Sequence, residues 1–373
     1  MTDQVPATRS SRIPQVDALR GCAVLLIFFV HYHSLFYPWL PLGSLSELGT
    51  RILEGIARAG TDLFFTLSGF LVYGSLMARE RTVGSYIARR FARIYPTFLF
   101  VLGIYLILSA FDAADSKVPL DDWSAFIYIL ANLLLLPGIL DIEPIVSPAW
   151  SLSYLGVFYL CAPILVSGLK LRERTRVQRV ALFGGLAAIL LVSGFFEGPG
   201  RLAMFAGGVL LYEFRPTGLR SHAGVVTAAL LLITFVSLAL LETFGIHPVV
   251  RYAALLCLLP LSSAWAMRAL PNGGPLFWPW LSYLGQITLS YIMIHGVVLN
   301  LVALAAHHWW PPATHGSVVF WTLMLPSLVA SAVAAGFVYT AVEDPWDSGL
   351  KGPSFRRLFG RDDGVGTAGR RPA

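Results

Sequence analysis

Residues 17–33 read DALRGCAVLLIFFVHYH, an apolar run that carries Arg20 near its start and His31 deep inside it. Eleven residues along an α-helix advance about 16 Å and turn through roughly 1,100°, three turns and about 20°. Arg20 and His31 therefore share one face. Asp17, three residues before Arg20, is close enough to that face to pair with the guanidinium, whereas His33 points nearly the other way. A charge at mid-membrane costs at least about 2.5–3.5 kcal/mol on insertion scales, so ionisable groups in a span face a bundle interior or a wet cavity. Alone, Arg20 could be a topology anchor that snorkels to the interface, and His31 a satisfied interior hydrogen-bonder. Together on one face they point to a reaction path. An imidazole can take a proton from a hydroxyl; a guanidinium can hold an anion or developing negative charge.

The rest of the chain shows which solvent this helix folds in. Hydrophobic residues make up 56% and charged residues 13% of the 373, and the mean hydropathy is +0.68. Soluble domains carry about 25% charged residues, so the chain reads as an all-α polytopic membrane protein whose first partner is the lipid bilayer. The first apolar stretch keeps an arginine at its start and has no small-residue cleavage site after it, so it reads as retained. The three cysteines, Cys22, Cys161 and Cys257, lie in apolar stretches without metal-ligand spacing. No histidine and carboxylate set has ligand spacing on one helix either, and neither a metal nor a nucleic-acid partner is expected.

A span needs about 20 apolar residues. Eleven apolar segments can be marked off, near 16–37, 61–78, 91–110, 123–140, 149–168, 179–196, 200–214, 223–242, 249–270, 281–305 and 316–341. The loop Arg79–Arg93 holds five arginines, and Lys170–Arg179 holds one lysine and four arginines. By the positive-inside rule both are cytoplasmic, yet three segments separate them, so one of the three does not cross. The segment 123–140, with Asn132, Pro137 and acidic flanks, is the candidate for a re-entrant or interfacial piece. About ten spans remain, with both termini cytoplasmic in an inner (plasma) membrane. The expected organisation is a disordered leader over 1–13, a membrane domain over 14–346 and a flexible basic tail over 347–373.

A second basic site lies in SYIARRFARIYP, where Arg89, Arg90 and Arg93 stand at the start of the third span, Arg89 and Arg93 on one face. Guanidinium groups at a helix N-terminus make a phosphate site, although orientation alone would also explain them. Upstream, GTDLFFTLSGFL places Asp62, Ser68 and Gly69 in the second span, the glycine allowing a helix or a substrate to approach. His295 is a further intramembrane histidine, able to line the same cavity or to make a buried structural bond. Glu343, before Pro345, reads as closing the last span.

These pieces, in order and spacing, resemble acyltransferase family 3: the arginine, ten residues, histidine pattern, then FFTLSGFLV, RRFARIYP, PAWSLS with FY, LGQITLSYIMIH and VEDP. The resemblance covers about Asp17 to Pro345. It implies transfer of an acyl group, commonly acetyl from acetyl-CoA as co-substrate, to a hydroxyl of a carbohydrate, glycolipid or glycosylated natural product, with no tightly bound cofactor. Carried over by residue, Arg20 and His31 match the essential pair, with Asp17 or Arg20 organising the pocket and His31 as base. Arg89, Arg90 and Arg93 match the donor motif, Ser68 and Gly69 the SGF element, and Trp150, Ser151 and Ser153 the WSLS element, placed with Asp62 and His295 toward the acceptor or pocket. Family members commonly carry a glutamate two positions after WSLS, where this chain has Leu155; Glu143 or Asp62 could substitute. The rival classes are a transporter or flippase for a glycolipid or small anion, and an inactive relative that scaffolds a polysaccharide assembly.

Overall fold

The computed structural model describes residues 14–111, 117–119, 121–214, 223–269, 277–312 and 316–350. The leader 1–13, the loop residues 215–220 and the tail from Lys351 lie outside them. The described residues form helices α1 (Pro14–Phe36), α2 (Leu45–Ala57), α3 (Ala59–Ala78), α4 (Val83–Phe111), α5 (Asp122–Leu133), α6 (Trp150–Gly168) and α7 (Arg176–Ser193). They continue as α8 (Ala203–Glu213), α9 (Ala223–Thr243), α10 (Pro248–Ala269), α11 (Phe277–Gln286), α12 (Thr288–Trp309) and α13 (Ser317–Val338). A π-helical turn, Tyr339–Glu343, then leads into α14 (Asp344–Leu350). Side-chain caps set several starts: Ser44 accepts from Glu47 N, Asp121 from Ser124 N, and Thr175 forms a capping box with Gln178. The large apolar side chains left bare, such as Leu108, Ile189, Leu304, Leu325 and Phe337, would be a fault in water and are what a bilayer requires.

Eight helical stretches among the described residues are long and apolar enough to cross a membrane, where the sequence suggested about ten. The expected segments 200–214 and 223–242 are not among them. The first is split between a 3₁₀ turn, Gly200–Leu202, and the 11-residue α8; the second forms α9, a helix of 21 residues. Nearly all of α8 is buried against α3, α7 and α10, and a helix enclosed by protein has no need to match the bilayer thickness. At its end Glu213 accepts from Tyr73 (2.6 Å) and from Arg179 (2.7 and 3.0 Å), which ties α3, α7 and α8 together. The segment 281–305 is also not one helix. It breaks at Ile287, between α11 and α12.

The inference about the two basic loops agrees with the geometry. Arg172 donates to the carbonyls of Leu76 and Arg79 and lies 3.6 Å from Glu80, so both loops sit at one end of the bundle. The short α5 is not among the helices long and apolar enough to cross, and its tip meets α4 partway along that helix. Tyr95, about 18 Å along α4 from Val83 at 1.5 Å per residue, donates to Leu133 O at the tip of α5. Asn132 then accepts from Ile145 N (2.8 Å), folding the chain back toward α6.

α1 is the axis of the bundle, packed against α2, α3, α11 and α12. Its closest neighbour is α11, because both lack a Cβ where they cross: a Cβ at Gly21 would meet the carbonyl of Leu281, and one at Gly285 the carbonyl of Asp17. Small residues at such crossings let backbones touch where hydrophobicity offers no preference between protein and lipid.

Candidate active site

Arg20 lines a cavity of about 100 Å³ between α1, α3, α4, α6 and α12. Ser68 comes from α3, Arg90 and Arg93 from α4, Ser151, Leu155 and Tyr159 from α6, and Glu343 from the π-helical turn. Three guanidinium groups and one carboxylate thus converge on this cavity, Glu343 buried and Arg93 half-exposed. Glu343 is 3% exposed, accepts from Ser290 Oγ (2.6 Å) and stands 4.0 Å from Arg93. Arg90 is held by Tyr86 Oη (3.0 Å) and Ser75 Oγ (3.4 Å), with its guanidinium over the rings of Tyr86 and Tyr159. A π-helical turn widens the helix by one residue and recurs at functional sites; here it carries Glu343.

His31 stands beyond this cavity along α1, beside His295 of α12, with ring centroids 5.0 Å apart and planes at 67°. On α12 the cavity residue Ile292 and His295 are three apart and share a face. His295 is thus about one turn beyond the nearest cavity residue on α12, whereas His31 is eleven residues, about 16 Å, beyond Arg20 on α1.

Other expected site residues are placed elsewhere. Asp62 is fully buried and ion-paired to Arg201 (Oδ1 to Nε 2.7 Å), whose guanidinium lies 5.1 Å from the ring of Trp150 and 5.6 Å from that of Tyr252. Gly69 packs on α8, where a Cβ would meet the Phe205 carbonyl. Ser153 back-bonds to Ala149 O (3.4 Å) within its own helix, and Arg89 is not among the residues lining the cavity. Glu143 is an exposed partner of Lys117 (2.8 Å). Neither Glu143 nor Asp62 lines the cavity that Leu155 lines. Leu155 itself lines the cavity, and the carboxylate found there is Glu343.

Glu343, which the sequence suggested only closes the last span, thus lines the cavity. Its signal was an acid, followed by Asp344 in YTAVEDP, directly after a strongly apolar helix. Arg201, at the head of the expected segment 200–214 and in its 3₁₀ turn, was not singled out. Asp62→Asn, which leaves the Arg201 guanidinium unmatched between two rings, is expected to lower stability by about 3–5 kcal/mol. The thermal unfolding midpoint in detergent reads this directly, and an unchanged midpoint would show that the pair does not hold the fold.

A bundle of apolar helices that holds a basic cavity and, further along α1, a pair of histidines defines a membrane protein with a polar, titratable interior. The chain belongs to acyltransferase family 3: the family model, an acyltransferase domain, matches residues 13–340. It is an acyltransferase. It is 26% identical over 406 aligned residues to "Acyltransferase MdmB" of Streptomyces mycarofaciens, covering 96% of each chain. It is 26% identical over 175 residues to "Exopolysaccharide production protein ExoZ" of Rhizobium meliloti, 46% of this chain and 50% of that one. It is also 32% identical over 157 residues to "Protein 2 in picA locus" of Rhizobium radiobacter, 37% of this chain and 73% of that one. No solved structure matches the chain.

Proposed function

We propose that the protein moves an acyl group from acyl-CoA, acetyl-CoA first among candidates, to a hydroxyl of a carbohydrate or glycoconjugate, with His31 as the general base. The observation that carries this reading is the convergence of Arg20, Arg90, Arg93 and Glu343 on one cavity, with the His31 and His295 pair beyond it on α1 and α12. A cavity of about 100 Å³ admits the acyl end of a thioester and not its nucleotide, so the phosphates stay outward, at the basic end of the bundle. That end carries both arginine-rich loops, which by the positive-inside rule makes it cytoplasmic and supplies donor from the cytoplasm of an inner-membrane protein. Glu343 takes the part left open by Leu155: its charge orders Arg93 and Ser290 and offsets part of the excess positive charge around Arg20. A carbohydrate acceptor is supported by the exopolysaccharide relative, and its approach by the Trp150, Tyr252 and Arg201 cluster, since aromatic faces and guanidinium forks suit hydroxylated rings.

Donor binding tests this reading. Protein in nanodiscs is titrated with acetyl-CoA, wild type beside Arg93→Ala and Arg90→Ala. A charge-assisted hydrogen bond contributes about 1.5–3 kcal/mol, so each variant is expected to bind roughly 10–150-fold more weakly. If wild type fails to bind acetyl-CoA, or both variants bind as tightly as wild type, the donor site lies elsewhere and the reading fails.

A further inference from the structure

His295 is fully buried, and its Nδ1 lies 3.0 Å from the carbonyl oxygen of Tyr291, while its Nε2 has no hydrogen-bond partner. Only an N–H can bond to a carbonyl, so Nδ1 carries the hydrogen, and a neutral ring protonated there leaves a bare lone pair on Nε2. An acceptor stranded in a dry interior is rare enough to demand a partner. The ring of His295 is also held in plane by stacking on Tyr291, centroids 5.5 Å apart at 17°. The titratable ring it meets across the helix interface is that of His31, at 5.0 Å between centroids, a separation at which a small turn of His31 brings a ring nitrogen to hydrogen-bond distance of Nε2.

The geometry points to His295 as a positioning residue for His31: its Nε2 accepts a hydrogen bond from one ring N–H of His31, fixing the tautomer whose other nitrogen is bare and turned to the acceptor hydroxyl. This rests on His31 being the base. In the reaction, the hydroxyl proton moves to that bare nitrogen as the bond between the acceptor oxygen and the acyl carbon forms. The carbon–sulfur bond breaks, and the departing thiolate takes the proton from His31 to leave as a thiol. His295 neither gains nor loses a proton over the cycle; it stabilises the transient imidazolium as a neutral acceptor. A carboxylate commonly does this beside a catalytic histidine, but a neutral ring does it without burying a further charge at this depth.

Asparagine and glutamine at 295 separate this from a structural role. His295→Asn keeps an N–H for the Tyr291 carbonyl and offers nothing at the Nε2 position; His295→Gln keeps an acceptor near Nε2. The readout is thiol release from acetyl-CoA with a panel of sugars and glycosides. His295→Asn is expected to lower kcat by roughly 10²-fold or more, in the direction that loss of a histidine's orienting partner produces, with acetyl-CoA affinity unchanged, and His295→Gln to recover at least about tenfold of that loss. A wild-type kcat in His295→Asn, or a loss confined to KM, overturns the inference.

A second measurement does not depend on how a 295 variant folds: ¹⁵N NMR of wild-type protein labelled at histidine, beside His31→Ala. An Nδ1-protonated His295 whose Nε2 resonance moves when His31 is removed supports the bond. An Nε2-protonated ring, or a resonance indifferent to His31, overturns it. Full activity in His31→Ala would instead sink the base itself, whereas an inactive His31→Ala beside a fully active His295→Asn would sink only the positioning role.

Discussion

His31→Ala is expected to lower acyl transfer by about 10²–10⁴-fold, the range that a positioned general base contributes, while acetyl-CoA binds as in the wild type. The split follows from where the groups stand. The cavity that holds Arg20, Arg90, Arg93 and Glu343 does not include His31, which meets His295 about a turn further along α12. On the proposed mechanism, removing the imidazole takes away the proton acceptor and leaves the arginines of the cavity in place. Affinity by titration and turnover by thiol release, measured on the same preparation, read the two separately. Equal losses in both would put His31 in the donor site. Undiminished turnover would remove it from the chemistry.

Gly285→Val is expected to abolish the folded enzyme, and Gly285→Ala to weaken it. The Cβ that either substitution adds falls on the Asp17 carbonyl, and the reciprocal contact at Gly21 falls on the Leu281 carbonyl. Both obstacles are helix backbone, so no rotamer change relieves the overlap and α11 must move off α1. Overpacking costs about 1–3 kcal/mol where side chains can give, and more where two backbones must part, against a total stability of about 5–15 kcal/mol. The displacement also reaches the site, since Asp17 and Arg20 are within one turn of each other on α1. Size-exclusion in detergent should show Gly285→Val aggregated and Gly285→Ala shifted toward that state, with weakened acetyl-CoA binding in whatever stays folded. Gly103→Ala is the control, because nothing lies within 4 Å of a Cβ there and alanine is the better helix former. Wild-type elution and binding in Gly285→Val would mean that α1 and α11 are not in backbone contact.

By itself the sequence determined the solvent, the helical class and the shared face of Arg20 and His31, because hydropathy and the 3.6-residue repeat are local properties. Counting basic loops singled out one segment, since side preference is a constraint on parity along the chain, and there the structure has α5, too short to span. Motif order was enough to name the family. The count of spans and the content of the site were settled elsewhere. α8 is short because neighbouring helices enclose it, and α11 separates from α12 where it crosses α1. Glu343 meets Arg93, His295 meets His31 and Arg201 meets Asp62 across long loops of chain, the last with a separation of 139 residues. Periodicity says which face a residue occupies and not which helix that face will meet. Inside a bilayer, lipid is as apolar as a neighbouring helix, so the partner is chosen by close packing and polar contacts, which only the tertiary structure contains.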